Sequence, residues 1–347
     1  MPNCGRSPPP TAPSATRDAP TVRDPGQSRG APEPDRSPGG APPPTTLTRE
    51  RHTMPRRHAW TELPASVRDT IEQHTGPIRS MHAPEFGRSS EFSATLETRV
   101  GRVFCKGVRA DRPYAWTHRN EAAVAPFLPA LLAPRLLWSI VRDGWHMLGF
   151  EYVPGRHPSL SPTSGDLDMV GDLVVTMAEA LTPCPSAALH SIADRWGSAP
   201  GWAAVYAKLP NDLDPWARTS IGRLATLERG AFLDGDTLVH SDLHPANLLT
   251  QDGRVRVIDW AWSARGAAWI DSAYVVVRLM HAGHTPEAAE AWAMHVPAFA
   301  KAPDPVIDAF AVKLSGMWEY IARSPKARAH ARSLADTARA WAAYRLQ

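Results

Sequence analysis

Acidic and amide side chains gather in one stretch of this chain, LVHSDLHPANLLTQDGRVRVIDW, at residues 238–260. Asn247 follows Asp242 by five residues, and Asp259 comes after a predicted hairpin. A carboxylate can accept the proton of an attacking hydroxyl, and Mg²⁺ prefers oxygen ligands of the Asn and Asp type. The order His-x-Asp-x-x-x-x-Asn followed by a further Asp predicts phosphoryl transfer, with Asp242 as base and Asn247 and Asp259 as magnesium ligands.

This stretch resembles the catalytic loop of the aminoglycoside phosphotransferase family, which is part of the protein-kinase-like superfamily. The matching residues are His240, Asp242, Asn247 and Ile258-Asp259-Trp260. Ser241 and Ala246 stand where that family often has glycine, and we expect these small residues to leave the loop undisturbed. The resemblance implies an ATP- and Mg²⁺-dependent small-molecule kinase, with GTP as the other candidate donor.

The resemblance further implies a lysine on the third strand of a small lobe and a carboxylate on the following helix. Lys106, in RVFCKGV, fits the first position and is one of only five lysines in the chain. On a strand its side chain shares a face with Phe104 and Val108. Glu121 stands fifteen residues later and is expected to hold the Lys106 ammonium near the nucleotide phosphates.

Two further segments are implied to bind the nucleotide. The loop 87–93, GRSSEFS, would cover the phosphates with donors from Ser89 and Ser90. The segment FEYVPG, residues 150–155, would form the hinge, where backbone groups around Glu151 and Val153 bind adenine.

His240 and Asp271 are predicted to support the catalytic loop. A zinc site at His240 and His244 is disfavoured because Pro245 argues against the helix that would bring both onto one face. Asp271 opens a predicted helix, and two roles stay open: an N-cap or a buried partner of the loop.

The elements around these residues change character along the chain. Short runs with tight polar breaks predict five antiparallel strands, and Asp143-Gly144 predicts a hairpin. Helices are predicted at 118–132, with Asn120 as a candidate cap, at 167–181, and over much of 270–347. The fold class is therefore α+β, with a small five-stranded N-lobe carrying one helix and a larger, mainly helical C-lobe. The resemblance implies that these two lobes form a bilobal protein-kinase-like fold. The strands are expected at 78–82, 92–98, 102–108, 135–140 and 145–153.

Composition divides the chain before that fold begins. Thirteen of its 35 prolines fall in residues 1–44, which predicts a disordered Pro/Arg-rich tail over residues 1–55. Met54 is a candidate start site, and mass spectrometry of the natural N-terminus would test it. We expect a lead-in segment at 56–77, the nucleotide-binding N-lobe at 78–153, and the C-lobe with catalytic loop and substrate helices at 154–347.

Composition also excludes several classes of protein. A net charge of +3 is too balanced for a dedicated nucleic-acid binder, and no apolar run is long enough for a membrane span. Three widely spaced cysteines fit a reducing cytoplasm. The expected partner is a small hydroxyl compound such as an aminoglycoside, a sugar or an amino alcohol. A nucleotide-binding regulatory or scaffold pseudokinase without transfer activity is the alternative, and no oligomeric state is indicated.

Overall fold

The structure is a computed structural model, and it describes residues 57–84, 90–186, 189–230, 233–325 and 327–347. The predicted tail and the predicted phosphate-loop residue Ser89 lie outside these ranges. No helix among the described residues is long and apolar enough to cross a membrane.

A five-stranded antiparallel sheet forms the first part of the fold. Its strands are β1 Ser80–His82, β2 Phe92–Glu97, β3 Arg102–Arg109, β4 Leu136–Arg142 and β5 Trp145–Glu151, and they lie in the order β1-β2-β3-β5-β4. The turn between β4 and β5 is Asp143-Gly144, with φ of 44° and 74°. Positive φ at both central residues matches the twist of a tight hairpin. The predicted five-stranded sheet is thus confirmed.

One face of this sheet is closed by helix α1, Ala65–Thr75, which precedes it in the chain. Val67 and Ile71, four residues apart on α1, are fully buried in the cluster that contains Leu96 and Trp138 of the sheet. Alternate residues of β2 are buried, as expected for a strand with one face on a core. This packing makes the sheet a firm support for Lys106 on β3.

Helix α2 follows β3 in the chain, and its bounds differ from the predicted ones. It spans Ala115–Val124 rather than 118–132, and Pro126 lies in the short 3-10 turn that follows it. The candidate cap Asn120 is wrong: this residue lies inside the helix and is buried. Its side-chain amide donates to the backbone oxygens of Ala261 and Ser263, at 3.2 and 2.9 Å.

The rest of the described chain is mainly helical around one large core. Trp202, Phe310 and Trp341 are fully buried there, on three different helices. The helices are α3 Leu167–Ala180, α4 Ile192–Gly197, α5 Trp202–Tyr206, α6 Pro215–Leu227, α7 Ile270–His281, α8 Pro286–Ala293, α9 Pro297–Ala300, α10 Asp304–Ala322 and α11 Ala331–Arg345. The mixed α+β class predicted from the sequence is confirmed.

Two small strand pairs lie within this helical part and position the polar loop. β6, Thr237–Val239, pairs with β9, Ala264–Gly266, and β7, Leu248–Gln251, pairs with β8, Arg254–Val257. Asp252-Gly253 turns the second pair, with φ of 50° and 72°. The loop 240–247 therefore runs from one strand pair into the other, and Asp259 lies two residues after the end of β8.

Candidate active site

Asp271 fixes the start of the loop 240–247 through two hydrogen bonds to its backbone. Its two carboxylate oxygens accept hydrogen bonds from the backbone amides of His240 and Ser241, each at 2.8 Å. Burial raises the pKa of Asp271, against the effect of His240 and these two hydrogen bonds. Trp269, not Asp271, is the N-cap residue of α7. Of the two roles left open for Asp271, the structure has the buried partner of the loop.

His240 joins this loop to the segment that carries Asp259. Its Nε2 lies 3.1 Å from the Ile258 carbonyl oxygen, and its Nδ1 lies 3.3 Å from the backbone amide of Asp242. The ring packs edge-on against Trp260, with centroids 5.0 Å apart. Among the described residues, no group of three or more His, Cys, Asp or Glu side chains is placed to hold a metal ion.

Asp242 stands at the centre of the loop, with 34% of its side chain exposed. The Tyr274 hydroxyl donates a long hydrogen bond to Oδ1 at 3.4 Å, and an Arg278 nitrogen lies 4.0 Å from the same oxygen. Burial among these groups raises the pKa of Asp242, against the effect of Arg278 and His240. A carboxylate with a raised pKa is better suited to accept a proton near neutral pH.

His244 approaches Asp242 from the other side, with Nε2 3.8 Å from Oδ2. Burial lowers the pKa of His244 to about 3, and Arg278 acts in the same direction. The imidazole is therefore neutral near neutral pH, and its contact with Asp242 is not an ion pair there.

Asn247 brings the end of the loop against the strand that leads to Asp259. Its side-chain amide nitrogen donates to the backbone carbonyl oxygen of Asp242 at 2.9 Å, and the backbone carbonyl oxygen of Asn247 accepts from the Ile258 amide at 2.9 Å. The first bond uses the nitrogen of the side chain and leaves its oxygen for another partner. Asn247 and Asp259 thus offer the hard oxygen donors that suit Mg²⁺, which takes few protein ligands and completes its shell with phosphate and water.

Asp259 has a left-handed backbone, with φ of 63°, and precedes the short turn Trp260–Trp262. Its Oδ1 accepts a hydrogen bond from the Lys106 ammonium at 2.7 Å. The same ammonium lies 2.6 Å from Glu121 Oε2, and both the Lys106 and Glu121 side chains are buried. Lys106 therefore bridges a carboxylate on α2 and a carboxylate after β8.

The charges of this bridge follow from burial and proximity. Burial opposes the Lys106 charge, but Asp259 and Glu121 together outweigh it and hold the Lys106 pKa above its usual value. Lys106 in turn outweighs the effect of burial on Asp259 and lowers the Asp259 pKa. Burial raises the pKa of Glu121 to about 7, although Lys106 opposes this. One buried cation shared by two carboxylates leaves Glu121 as the acid that takes up a proton first.

The other predicted nucleotide-binding residues lie around this bridge without touching it. Ser90 is buried, with its hydroxyl 3.2 Å from His118 Nε2 on α2. Glu151 ends β5, and its carboxylate lies 3.0 Å from Arg256 of β8. Val153 lines a hollow of about 330 Å³ together with Leu249 and Arg256 of the β7–β8 hairpin.

Arg195, on α4, is a site residue that the sequence reasoning missed. It donates to the Ser241 hydroxyl at 2.6 Å and to the Trp262 carbonyl oxygen at 2.5 Å. The Ser241 hydroxyl donates in turn to the same carbonyl at 2.7 Å. Burial lowers the pKa of Arg195 to about 10, against the effect of Asp242. No sequence signal pointed to Arg195, because it lies in an unremarkable helix far from the motif.

Tyr274 and Arg278 were also missed, although a signal for them existed. They follow Asp271 by three and seven residues, the spacing that puts side chains on one face of a helix. Arg278 donates to the Tyr274 hydroxyl at 3.1 Å, and that hydroxyl reaches Asp242. Since Asp271 was already placed beside the loop, its helical neighbours could have been expected there too.

Comparison with known families agrees with this geometry. The sequence profile of the phosphotransferase enzyme family, APH, matches residues 85–302 of this chain, which include Lys106 and the whole loop. The chain belongs to this family. The predicted family and the predicted enzyme class, a small-molecule phosphotransferase, are therefore confirmed.

Solved structures share the fold of the phosphotransferase at low sequence identity. The aminoglycoside phosphotransferase APH(4)-Ia is 14% identical, with a TM-score of 0.55, over 81% of this chain and 97% of that chain. A microcompartment-associated aminopropanol kinase is 15% identical, with a TM-score of 0.55, over 82% and 97%. Choline kinase LicA from Streptococcus pneumoniae is 13% identical, with a TM-score of 0.54, over 80% and 98%. No curated protein sequence matches the chain.

Proposed function

We propose that the phosphotransferase moves the γ-phosphoryl group of ATP to a hydroxyl group of a small molecule, with Asp242 as the base. The observation that carries this proposal is the meeting of four parts of the chain at one place. Lys106 of β3 contacts Glu121 of α2 at 2.6 Å and Asp259 at 2.7 Å, and Asn247 bonds to the backbone of Asp242. These are the positive, metal-binding and basic groups that phosphoryl transfer requires.

Asp242 would act on the acceptor in a single displacement. The acceptor oxygen forms a bond to the γ-phosphorus, the bond from that phosphorus to the bridging oxygen of ADP breaks, and the hydroxyl proton passes to Asp242. Tyr274 and Arg278 approach Oδ1 of the Asp242 carboxylate, whereas Oδ2 lies on the side of His244. Positioning of this kind supplies most of the catalysis, because the protein forms no covalent bond to the phosphoryl group.

Lys106 would bind the nucleotide phosphates, and Ser89, Ser90, Glu151 and Val153 would surround the rest of the nucleotide. The buried Lys106 ammonium supports a place for the phosphates. A neighbour of this fold, at 13% identity and a TM-score of 0.55, forms a ternary complex with AMP-PNP and hygromycin B. That complex supports ATP, rather than GTP, as the first donor to test.

Mg²⁺ would be held by Asn247 and Asp259. When bound, the ion would neutralise charge on the transferring phosphoryl group. Asn247 would direct its oxygen, not its nitrogen, to the ion, because the nitrogen already donates to the Asp242 carbonyl. Asp259 would offer Oδ2, because Oδ1 is bound by Lys106.

Transfer from Mg-ATP to a broad panel of hydroxyl compounds, followed by ³¹P NMR for a new phosphate ester, tests the proposal. Wild-type protein should form an ester with at least one compound, and Asp259→Asn should form it far more slowly. If Mg-ATP binds but no compound is phosphorylated, the alternative of a nucleotide-binding regulatory pseudokinase replaces the proposal.

A further inference from the structure

We propose that the acceptor carries an anionic oxygen group, a carboxylate or a phosphate, close to the hydroxyl that is phosphorylated, and that Arg278 binds this group. The inference rests on the proposed function, because it assigns the acceptor of the same site. It concerns the part of the site beyond Asp242, formed by α7, α10 and the turn before α11.

Arg278 has hydrogen-bonding capacity that the protein leaves unused. Its guanidinium donates to the Tyr274 hydroxyl at 3.1 Å and lies 4.0 Å from Asp242 Oδ1. Its Nε is buried and has no hydrogen-bond partner among the described residues. A buried donor without a partner is costly, and the planar guanidinium is suited to two parallel bonds with a carboxylate or phosphate. An anionic acceptor would make such bonds with the guanidinium, since 11% of the Arg278 side chain is exposed.

The aromatic faces beside the base are already taken by this arginine. The Arg278 guanidinium carbon lies 5.0 Å from the Tyr274 ring centre and 5.6 Å from that of Trp318 on α10. Aromatic faces recognise ammonium groups when they are open to a ligand cation. Here a cation of the chain occupies them, so an amine substrate would meet a like charge and not an aromatic cage.

Arg278 and Arg328 both bring positive charge near Asp242. Burial raises the pKa of Asp242, but Arg278, His240 and Arg328 all act against that rise, which places Arg328 close enough to affect the site. Arg328 lies in the exposed turn between α10 and α11. Asp259 is the opposing negative charge that affects Asp242, and it is neutralised in part by Lys106.

The carboxylates of α10 and α11 are not free to bind a cationic acceptor. On these two helices, every acidic side chain of the described residues is paired with arginine. Glu319 contacts Arg323, Arg332 and Arg339, Asp336 contacts two of these, and Asp304 and Asp308 both contact Arg345. These helices therefore offer no unpaired carboxylate that would attract a polyamine.

Two series of compounds that differ in charge but share a carbon skeleton test the inference. One series is glucuronate, glucose and glucosamine, and the other is glycerate, glycerol and aminopropanediol. Equilibrium binding to the full chain is measured by calorimetry, and transfer from Mg-ATP is measured separately. In at least one series, the anionic member should bind about tenfold to hundredfold more tightly than the neutral member, and the cationic member most weakly.

Variants separate a direct contact with the acceptor from a structural role. Arg278→Gln should abolish the preference for the anionic member, and Arg278→Lys should keep part of it. Arg328→Gln alters only an exposed side chain and should reduce the preference without affecting folding, whereas the exposed Arg223→Gln on α6 should leave it unchanged. Thermal unfolding of each variant identifies any loss of folded protein.

Each outcome bears on one proposal or the other. Equal binding within both series, tighter binding of the cationic member, no binding by any member, or a preference that survives both Arg278→Gln and Arg328→Gln would overturn the inference. If neutral or cationic compounds are phosphorylated and no anionic member binds more tightly than they do, the proposed function stands while this inference fails. If anionic members bind through Arg278 but nothing is phosphorylated, the inference stands and the proposed function fails.

Discussion

The ammonium of Lys106 lies 2.7 Å from the carboxylate of Asp259, although 153 residues separate the two in sequence. This hydrogen bond joins the five-stranded sheet to the segment that follows the β7–β8 hairpin. It also places a fixed positive charge beside an oxygen ligand, which is the arrangement that binds the phosphates and the metal ion of a nucleoside triphosphate. The two side chains define the centre of the site on which the predictions below depend.

Replacing Lys106 with methionine should destabilise the protein in a pH-dependent way. The substitution leaves Glu121 and Asp259 without their shared cation, and removing one partner of a buried ion pair costs about 3–5 kcal/mol. Both carboxylates then have raised pKa values, so stability is retained at low pH and lost as the pH rises through those values. Urea unfolding of Lys106→Met at about pH 5 and about pH 8 measures the effect.

Lys301→Met is the matched control, because it removes an exposed lysine from the same lysine-poor chain. It should unfold like the wild type at both pH values. A Lys106→Met protein that is as stable as the wild type at the higher pH would mean that the bridge does not form in solution.

The backbone of Ser241 predicts that two small replacements lower stability by unequal amounts. Ser241 has φ of 61°, a left-handed conformation that costs a residue with a side chain about 1–2 kcal/mol and glycine much less. Its hydroxyl offsets this cost by bonding to Arg195 and to the Trp262 carbonyl. Ser241→Ala loses the bonds and keeps the strain, whereas Ser241→Gly loses the bonds and relieves the strain.

Both variants should therefore be less stable than the wild type, with Ser241→Gly above Ser241→Ala by about 1 kcal/mol in free energy of unfolding. Urea titration of the three proteins checks the order. Equal stability of the alanine and glycine variants would show that residue 241 does not hold a left-handed backbone.

His118 should make the protein lose stability on mild acidification. Burial lowers its pKa to about 3, and Lys106 acts in the same direction. The unfolded chain takes up a proton near the ordinary value of about 6.5, so this stability is present above that pH and is lost as the pH falls below it. Relative to His118→Gln, the wild type should lose about 2 kcal/mol between about pH 7.5 and about pH 5.

Free energies of unfolding in metal-free buffer, taken for both proteins across this range, provide the measurement. A difference between the two proteins that stays constant with pH would mean that His118 is solvated in the folded state.

The sequence made the fold class and the chemistry predictable because both depend on local patterns. Asp143-Gly144 requires positive φ and so marks a hairpin, and the spacing of Asp242, Asn247 and Asp259 is itself the motif. The end of α2 was harder to predict, because residues 125–132 contain apolar side chains that fit a helix until Pro126 breaks it. Asn120 was mistaken for a cap because its partners, Ala261 and Ser263, lie about 140 residues away.

The groups that surround the base could not be predicted for the same reason. Arg195 meets Ser241 only because α4 packs beside β9, a contact between segments that no short pattern encodes. Ser241 stands where glycine is frequent in the family, and its left-handed backbone carries a hydroxyl that accepts a hydrogen bond from that arginine. Tyr274 and Arg278 were within reach of a helical projection from Asp271, which is the step that would have found them.

The turnover of Asp242→Asn, measured beside its affinity for Mg-ATP, tests the central claim most directly. The asparagine keeps the shape of the side chain but cannot accept the hydroxyl proton, so kcat should fall by about 10²–10⁴. The Kd for Mg-ATP should change by less than about threefold, because Lys106, Asn247 and Asp259 are untouched. A variant that retains kcat within about tenfold of the wild type would contradict the assignment of Asp242 as the base.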